Sequence, residues 1–74
     1  MPLIEVKMIE QTFTTSEKSE LISKLTDALV SVKGEYMREV TWIIIEDIPS
    51  GQWGIRGKAA TTEDARAFAA AKNQ

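Results

Sequence analysis

Residues 40–45 constrain the fold more than any other part of the chain, because this run is apolar on both faces of a strand. Successive side chains of a strand point to opposite faces. Trp42 and Ile44 therefore lie on one face, and two further isoleucines lie on the other. A strand of this kind is typical of a sheet that is covered on both sides, as parallel sheets are. The sequence thus predicts a central strand whose two faces both need a cover.

A strand with one apolar face is predicted before this run. Ile4, Val6 and Met8 alternate with charged residues between Pro2 and Ile9, and this period of two is the strand pattern.

A helix is predicted between the two strands. Thr14 and Glu17 have the spacing of a capping box, which marks a helix start. Gly34 is placed where a helix commonly ends in a left-handed glycine. The apolar positions between them recur at helical spacing: Leu21, Ile22, Leu25, Ala28, Leu29 and Val32. Strand, helix and strand make a β-α-β unit, in which the strands run parallel with a right-handed crossover.

The size of the chain leaves one face of that sheet uncovered. The 74 residues predict one domain, residues 1–74, and its single long helix can cover only one face. Small domains compensate for a small core with disulfides, metals or oligomerisation, and the chain has no Cys and no His. We therefore expect a homo-oligomer in which a second subunit completes the sheet.

The C-terminal third predicts a hairpin and a short helix, which makes the fold class α/β. Residues 47–52 are turn material. Residues 53–58 contain two glycines, which suit a short hairpin better than a core strand. Thr62 is in position to cap a final helix that ends near Lys72. The apolar stripe of that helix is thin and consists of Ala65, Phe68 and Ala69.

Composition and charge argue against several classes of partner. The net charge is −2 and the isoelectric point is about 5.0, whereas nucleic-acid modules normally carry a basic patch. No run has transmembrane length and no signal-peptide pattern opens the chain. We expect no nucleic-acid partner, no membrane partner and a cytoplasmic location. No metal site is predicted either, because Glu46 and Asp47 have no further acid at ligand spacing.

Pro2 is the main candidate for chemistry. Met1 is usually removed before a proline, and the chain would then begin with a secondary amine. An α-amino group titrates at about 7.7 to 8.0. The amine of proline is more basic, so it needs an apolar pocket or nearby cations to be neutral at pH 7. A neutral amine could act as a general base or a nucleophile. While Met1 remains, the same nitrogen is an amide and cannot take a proton.

Two arginines and a tryptophan are further candidates. Arg56 lies between glycines, where a guanidinium could bind a carboxylate through two parallel hydrogen bonds; the alternative is a solvated surface arginine. Arg38 precedes the central strand and could lie at a sheet end, where ligand sites gather. Its alternative is an ion pair with Glu35 or Glu39. Trp53 follows a turn and either forms the wall of a pocket or simply packs.

These features, taken in order, resemble the 4-oxalocrotonate tautomerase family over about residues 2–58. The resemblance rests on Pro2 at the start of a strand, the capped helix, the apolar strand that ends in Glu46, and residues 51–55, Gly-Gln-Trp-Gly-Ile. It implies a β-α-β protomer that dimerises and commonly forms a hexamer, with no cofactor. It also implies that Pro2, freed of Met1, moves a proton in keto–enol or double-bond isomerisation of 2-oxo acids. Trp53 and Ile9 map onto the apolar wall of the family pocket.

The chain departs from the family pattern at its arginines. The prototype carries one arginine at the end of the first loop, where this chain has residues 11–13, Gln-Thr-Phe, and a second where it has Thr41. Arg56 stands where the pattern usually has glycine, and Arg56, or Arg38 of a neighbouring subunit, is expected to replace the missing anchors. The expected substrate is a small mono-acid or an aromatic enol. The alternatives are a hydratase-like or dehalogenase-like relative, or a non-catalytic oligomer that binds a small acid or a protein.

Overall fold

The predicted order of elements is confirmed. The computed structural model describes residues 1–72. Its elements are β1 (Leu3–Ile9), α1 (Thr15–Lys33), a short 3-10 helix (Glu35–Glu39), β2 (Trp42–Ile48), β3 (Trp53–Ile55), β4 (Lys58–Ala60) and α2 (Thr62–Lys72). Within residues 1–72, no helix combines the length and the apolar character needed to cross a bilayer. The fold is therefore a β-α-β unit followed by a hairpin and a short helix.

Strands β1 and β2 pair with each other, and the hydrogen bonds at their two ends show that they run parallel. At one end the amide of Trp42 donates to the carbonyl of Pro2 at 3.0 Å, and at the other the amide of Glu10 donates to the carbonyl of Ile48 at 2.8 Å. The start of each strand therefore meets the start of the other. The prediction placed β2 at residues 40–45 and residue 48 in a turn, and this was wrong by two to three residues, because Ile48 is still paired.

Residues 1–6 and 13–46 form one compact unit, which contains α1. The predicted capping box is present: Thr14 Oγ1 accepts from the amide of Glu17 at 3.0 Å, and the amide of Thr14 donates to Glu17 Oε1 at 2.8 Å. Gly34 closes the helix by donating to the carbonyl of Val30 at 2.8 Å. Its φ of 121° and ψ of 166° are not the left-handed helical values predicted. They belong to a region that only glycine adopts readily.

The apolar stripe of α1 is half-buried over most of its length. Leu21, Leu25 and Leu29 are half-buried, whereas Val32, in the last turn of the same stripe, is 82% exposed. The 19 residues of α1 span about 28 Å at the rise of an α-helix. A seven-residue strand spans about 23 Å. The last turn of α1 is therefore not covered at Val32 by any of the residues 1–72.

One face of the β1–β2 pair in this unit is open. Ile4, Val6 and the isoleucines 43 and 45 of β2 are half-buried. The alternate positions are exposed: Leu3 by 52%, Trp42 by 62% and Ile44 by 47%. The uncovered apolar face that the sequence predicted therefore exists in the protomer.

Residues 7–12 and 47–72 belong to the second unit, which contains the hairpin and α2. Strand β3 pairs antiparallel with β4, with Trp53 opposite Ala60 and Ile55 opposite Lys58. The two residues of the turn have φ values of 53° at Arg56 and 78° at Gly57. Positive φ at both central positions is the signature of a type I′ turn, which matches the twist of a tight hairpin. The predicted hairpin is confirmed.

The residue that caps helix α2 lies one position earlier than predicted. Thr61 is the capping residue: its amide donates to Asp64 Oδ2 at 3.0 Å, and its hydroxyl accepts from the amide of Asp64 at 3.1 Å. Thr62, the predicted cap, is only 4% exposed. Its hydroxyl donates to the carbonyl of Glu10 at 2.9 Å, and its amide donates to Ser50 Oγ at 2.9 Å. Thr62 thus ties α2 to the end of β1.

Candidate functional site

Pro2 lies at the start of β1 in an apolar hollow. A cavity of about 230 Å³ is lined by Met1, Pro2, Leu3 and Trp42. Pro2 is half-buried, and its carbonyl accepts the hydrogen bond from the amide of Trp42. The sheet therefore fixes the carbonyl side of Pro2, and the other residues that line this cavity are apolar. The ring nitrogen is joined to Met1, so it is an amide as long as Met1 remains.

A second, larger cavity lies in the unit that contains the hairpin and α2. Its volume is about 370 Å³, and its lining residues are Ile9, Trp53, Ile55, Ala60, Asp64, Ala65 and Phe68. The structure thus brings together Ile9 and Trp53, the two residues that the family resemblance assigned to a pocket wall. Both are half-buried. We call this space the hairpin cavity.

The lining of the hairpin cavity is apolar apart from one carboxylate. Asp64 accepts a hydrogen bond from the amide of Thr61 through Oδ2, so its position is set by the cap of α2. A fixed negative charge in the wall disfavours a second negative group on any molecule bound there. The arrangement suits an apolar body better than a dicarboxylate.

Arg56 occupies a strained position at the tip of the hairpin. A φ of 53° is uncommon for a residue with a side chain, and it costs free energy compared with glycine. The side chain is exposed, and it makes no hydrogen bond or ion pair with any residue from 1 to 72. The turn therefore presents an unpaired guanidinium next to Ile55, which lines the hairpin cavity. Its predicted role as an anchor stays a prediction.

Arg38 is held by two carboxylates within its own unit. Its Nε donates to Glu35 Oε1 at 2.7 Å and its NH1 donates to Asp27 Oδ1 at 2.8 Å. The hydrogen bonds with Glu35 and Asp27 raise the pKa of Arg38 further above its ordinary value. The ion pair with Glu35 was the alternative that the sequence offered, and Asp27 was not foreseen. A role of Arg38 in substrate binding stays a prediction.

Sequence reasoning missed the polar contacts that hold α2. Arg66 donates to the carbonyl of Gln11 from Nε at 3.1 Å and from NH2 at 2.6 Å. Gln11 has a φ of 60°, so this bond holds a left-handed residue at the end of β1. The amide of Ser50 donates to Glu10 Oε2 at 2.9 Å. None of these pairs is close in sequence, and no local pattern marks them.

Comparison with known proteins places this arrangement in a family. The model of the tautomerase enzyme family matches residues 2–63. A 2-hydroxymuconate tautomerase of Pseudomonas putida is 37% identical over 60 residues, which cover 81% of this chain and 92% of the relative. A probable tautomerase of Dickeya dadantii is 30% identical over 61 residues, with coverage of 82% and 90%. A probable tautomerase of Campylobacter jejuni is 28% identical over 67 residues, with coverage of 90% and 97%.

The chain is an isomerase, and it belongs to the tautomerase family. The resemblance inferred from the sequence is therefore confirmed. So is the prediction of an enzyme, as opposed to a non-catalytic oligomer. The family match ends at residue 63, so nearly all of α2 lies outside it.

Proposed function

We propose that this tautomerase moves a proton within a small 2-oxo acid, in a keto–enol or double-bond shift, with the nitrogen of Pro2 as the general base. The nitrogen takes a proton from the hydroxyl of the enol or from the carbon beside the carbonyl. It returns a proton to the other end of the conjugated system, so no cofactor is consumed. The observation that carries the proposal is the position of Pro2, which the sheet fixes in an apolar hollow.

The hollow supports a base that is neutral near pH 7. Removal of Met1 turns the amide of Pro2 into a secondary amine. Apolar surroundings disfavour the charged form of an amine and so lower its pKa. Because Leu3 and Trp42 would still line the hollow, the pKa of the freed amine is expected below that of proline in water.

A cation is also needed, because the negative charge that develops on the substrate must be stabilised. We propose Arg56 for this role, since its guanidinium is exposed and unpaired within residues 1–72. Its fork of donors matches a carboxylate. Arg38 of a neighbouring subunit is the second candidate, and it would have to exchange its ion pairs with Asp27 and Glu35 for the substrate.

We propose that a second copy of the chain covers the open face of the β1–β2 pair. Leu3, Trp42 and Ile44 are about half exposed there, and burying such a surface is the main source of association free energy. Trp42 belongs both to this face and to the hollow around Pro2. Covering the face would therefore also exclude water from the base. A dimer-based hexamer is the assembly that the family resemblance implies.

The proposal is tested by following the ketonisation of phenylenolpyruvate by ultraviolet absorbance. Intact mass first establishes that the wild-type sample lacks Met1. We expect turnover that is lost in Pro2→Ala and retained in Pro49→Ala, because Pro49 lies in an exposed turn. A sample that keeps an N-terminal extension has the same fold but an amide at Pro2, and it should be inactive. Full activity of the extended sample, or of Pro2→Ala, would refute Pro2 as the base.

A further inference from the structure

We infer that α2 supplies one wall of the substrate site, and that Phe68 selects 2-oxo acids that carry a ring-sized apolar substituent. This inference rests on the proposed function and names the substrate class for it. Its structural basis is the hairpin cavity alone, in which the apolar substituent would lie.

The hairpin cavity combines family positions with positions that the family match does not reach. Ile9, Trp53, Ile55 and Ala60 fall inside the matched residues 2–63, whereas Asp64, Ala65 and Phe68 follow them. The wall formed by α2 thus lies beyond the part of the chain that the family model matches. A residue in α2 can determine which substrate is preferred without taking part in the proton transfer itself.

The spacing of its apolar residues and the hydrogen bonds that hold the helix explain how α2 forms this wall. Ala65 and Phe68 are three residues apart, so they share one face of the helix. Thr62 and Arg66, four residues apart, hold the helix to residues 10 and 11. Phe68 is 66% exposed although it is a large apolar residue. The ammonium of Lys72 lies 5.6 Å from the centroid of its ring, a cation–π distance that helps to hold the ring in place.

The volume of the hairpin cavity and the charge in its wall indicate which kind of ligand it can hold. An apolar cavity of about 150 Å³ is enough for benzene, so about 370 Å³ holds an aromatic ring with a short chain. The carboxylate of Asp64 in the wall disfavours a dicarboxylate, and the apolar remainder favours a ring. A mono-acid such as phenylpyruvate fits both conditions.

The test compares the binding of phenylpyruvate and pyruvate, each followed by NMR titration, which measures weak dissociation constants. The variants are Phe68→Ala and the milder Phe68→Leu. Val32→Ala is the matched control, because Val32 is also an exposed apolar residue on a helix but does not line the cavity. Circular dichroism and the mass of the assembly in solution are recorded for each variant.

We expect wild type to prefer phenylpyruvate, and Phe68→Ala to weaken its binding about tenfold while pyruvate changes less than about twofold. The affinity of Phe68→Leu for phenylpyruvate should lie between those of wild type and Phe68→Ala. Val32→Ala should leave the dissociation constants of phenylpyruvate and pyruvate unchanged. Equal weakening of both acids, no weakening, or no preference in wild type would overturn the inference. So would a change in assembly mass on Phe68→Ala, since a second copy of the chain would then be the occupant. Binding needs no turnover, so the inference and the role of Pro2 fail independently.

Discussion

Replacing Thr62 by valine tests whether a single hydroxyl holds α2 to the rest of its unit. The two side chains have nearly the same shape, so the substitution removes the hydrogen bond to the carbonyl of Glu10 and little else. The amide of Thr62 keeps its bond to Ser50. Any loss of stability therefore measures the contribution of the Thr62 hydroxyl group to the free energy of unfolding.

The size of the expected loss of stability depends on how deeply Thr62 and Glu10 are buried. A net hydrogen bond contributes about 1 kcal/mol, and leaving a buried acceptor without a partner costs about 1–3 kcal/mol. Thr62 is 4% exposed, but Glu10 is only half-buried, so water can reach its carbonyl in part. We expect a loss of about 1–1.5 kcal/mol in the free energy of unfolding. For a domain of this size, that lowers Tm by about 4–10 °C.

The assay is thermal unfolding at one fixed protein concentration, because the Tm of an oligomer depends on concentration. Thr26→Val is the matched control. The hydroxyl of Thr26 also donates at 2.9 Å, but to the exposed carbonyl of Ile22 in the same helix, so its loss should matter little. Hydrogen exchange should accelerate mainly in α2 of Thr62→Val. The reasoning is wrong if Thr62→Val lowers Tm no more than Thr26→Val does.

Three further predictions concern the hairpin, the open face and the base. Arg56→Asn should raise Tm by about 3 °C, since Asn tolerates positive φ, and should raise KM for the acid; an unchanged KM excludes Arg56 as the anchor. Trp42→Glu places a charge on the open face and should lower the mass of the assembly in solution, as measured by light scattering; an unchanged mass shows that this face is not the interface. For the trimmed enzyme, kcat/KM should rise with pH until the amine of Pro2 is neutral and fall about tenfold per pH unit below its pKa. A rate that does not vary with pH would exclude an amine base.

The parts of the fold that local sequence determines were predictable. The capping box of Thr14 and Glu17 fixes the start of α1 through two bonds between residues three apart. The glycines around Arg56 limit the chain there to a short hairpin. The same rule, applied strictly, identifies the cap of α2: Thr61 has an acid three residues later, whereas Thr62 has Ala65.

The contacts that build the candidate sites were only partly predictable. Ile9 and Trp53 were expected in a pocket wall through the family resemblance, and they do line one cavity. Phe68 was identified only as part of a thin apolar stripe, because the stripe gives no sign of which residues it meets. Arg66 bonds Gln11 across 55 residues of sequence, and such a contact follows from the way the segments fold together. Periodicity along one helix carries no information about it.

The residues that anchor α2 differ from Phe68, the residue to which we assign substrate selectivity. Thr62 and Arg66 are four residues apart and bind the backbone at the end of β1, so the polar face carries the anchor. Ala65 and Phe68 line the hairpin cavity. Phe68 is two positions from Arg66 and therefore points away from it, stays mostly exposed and contributes little to folding. A side chain of this kind can be exchanged without unfolding the helix that presents it. This is the arrangement expected of a wall that adjusts substrate preference while the matched residues 2–63 keep the proton-transfer chemistry.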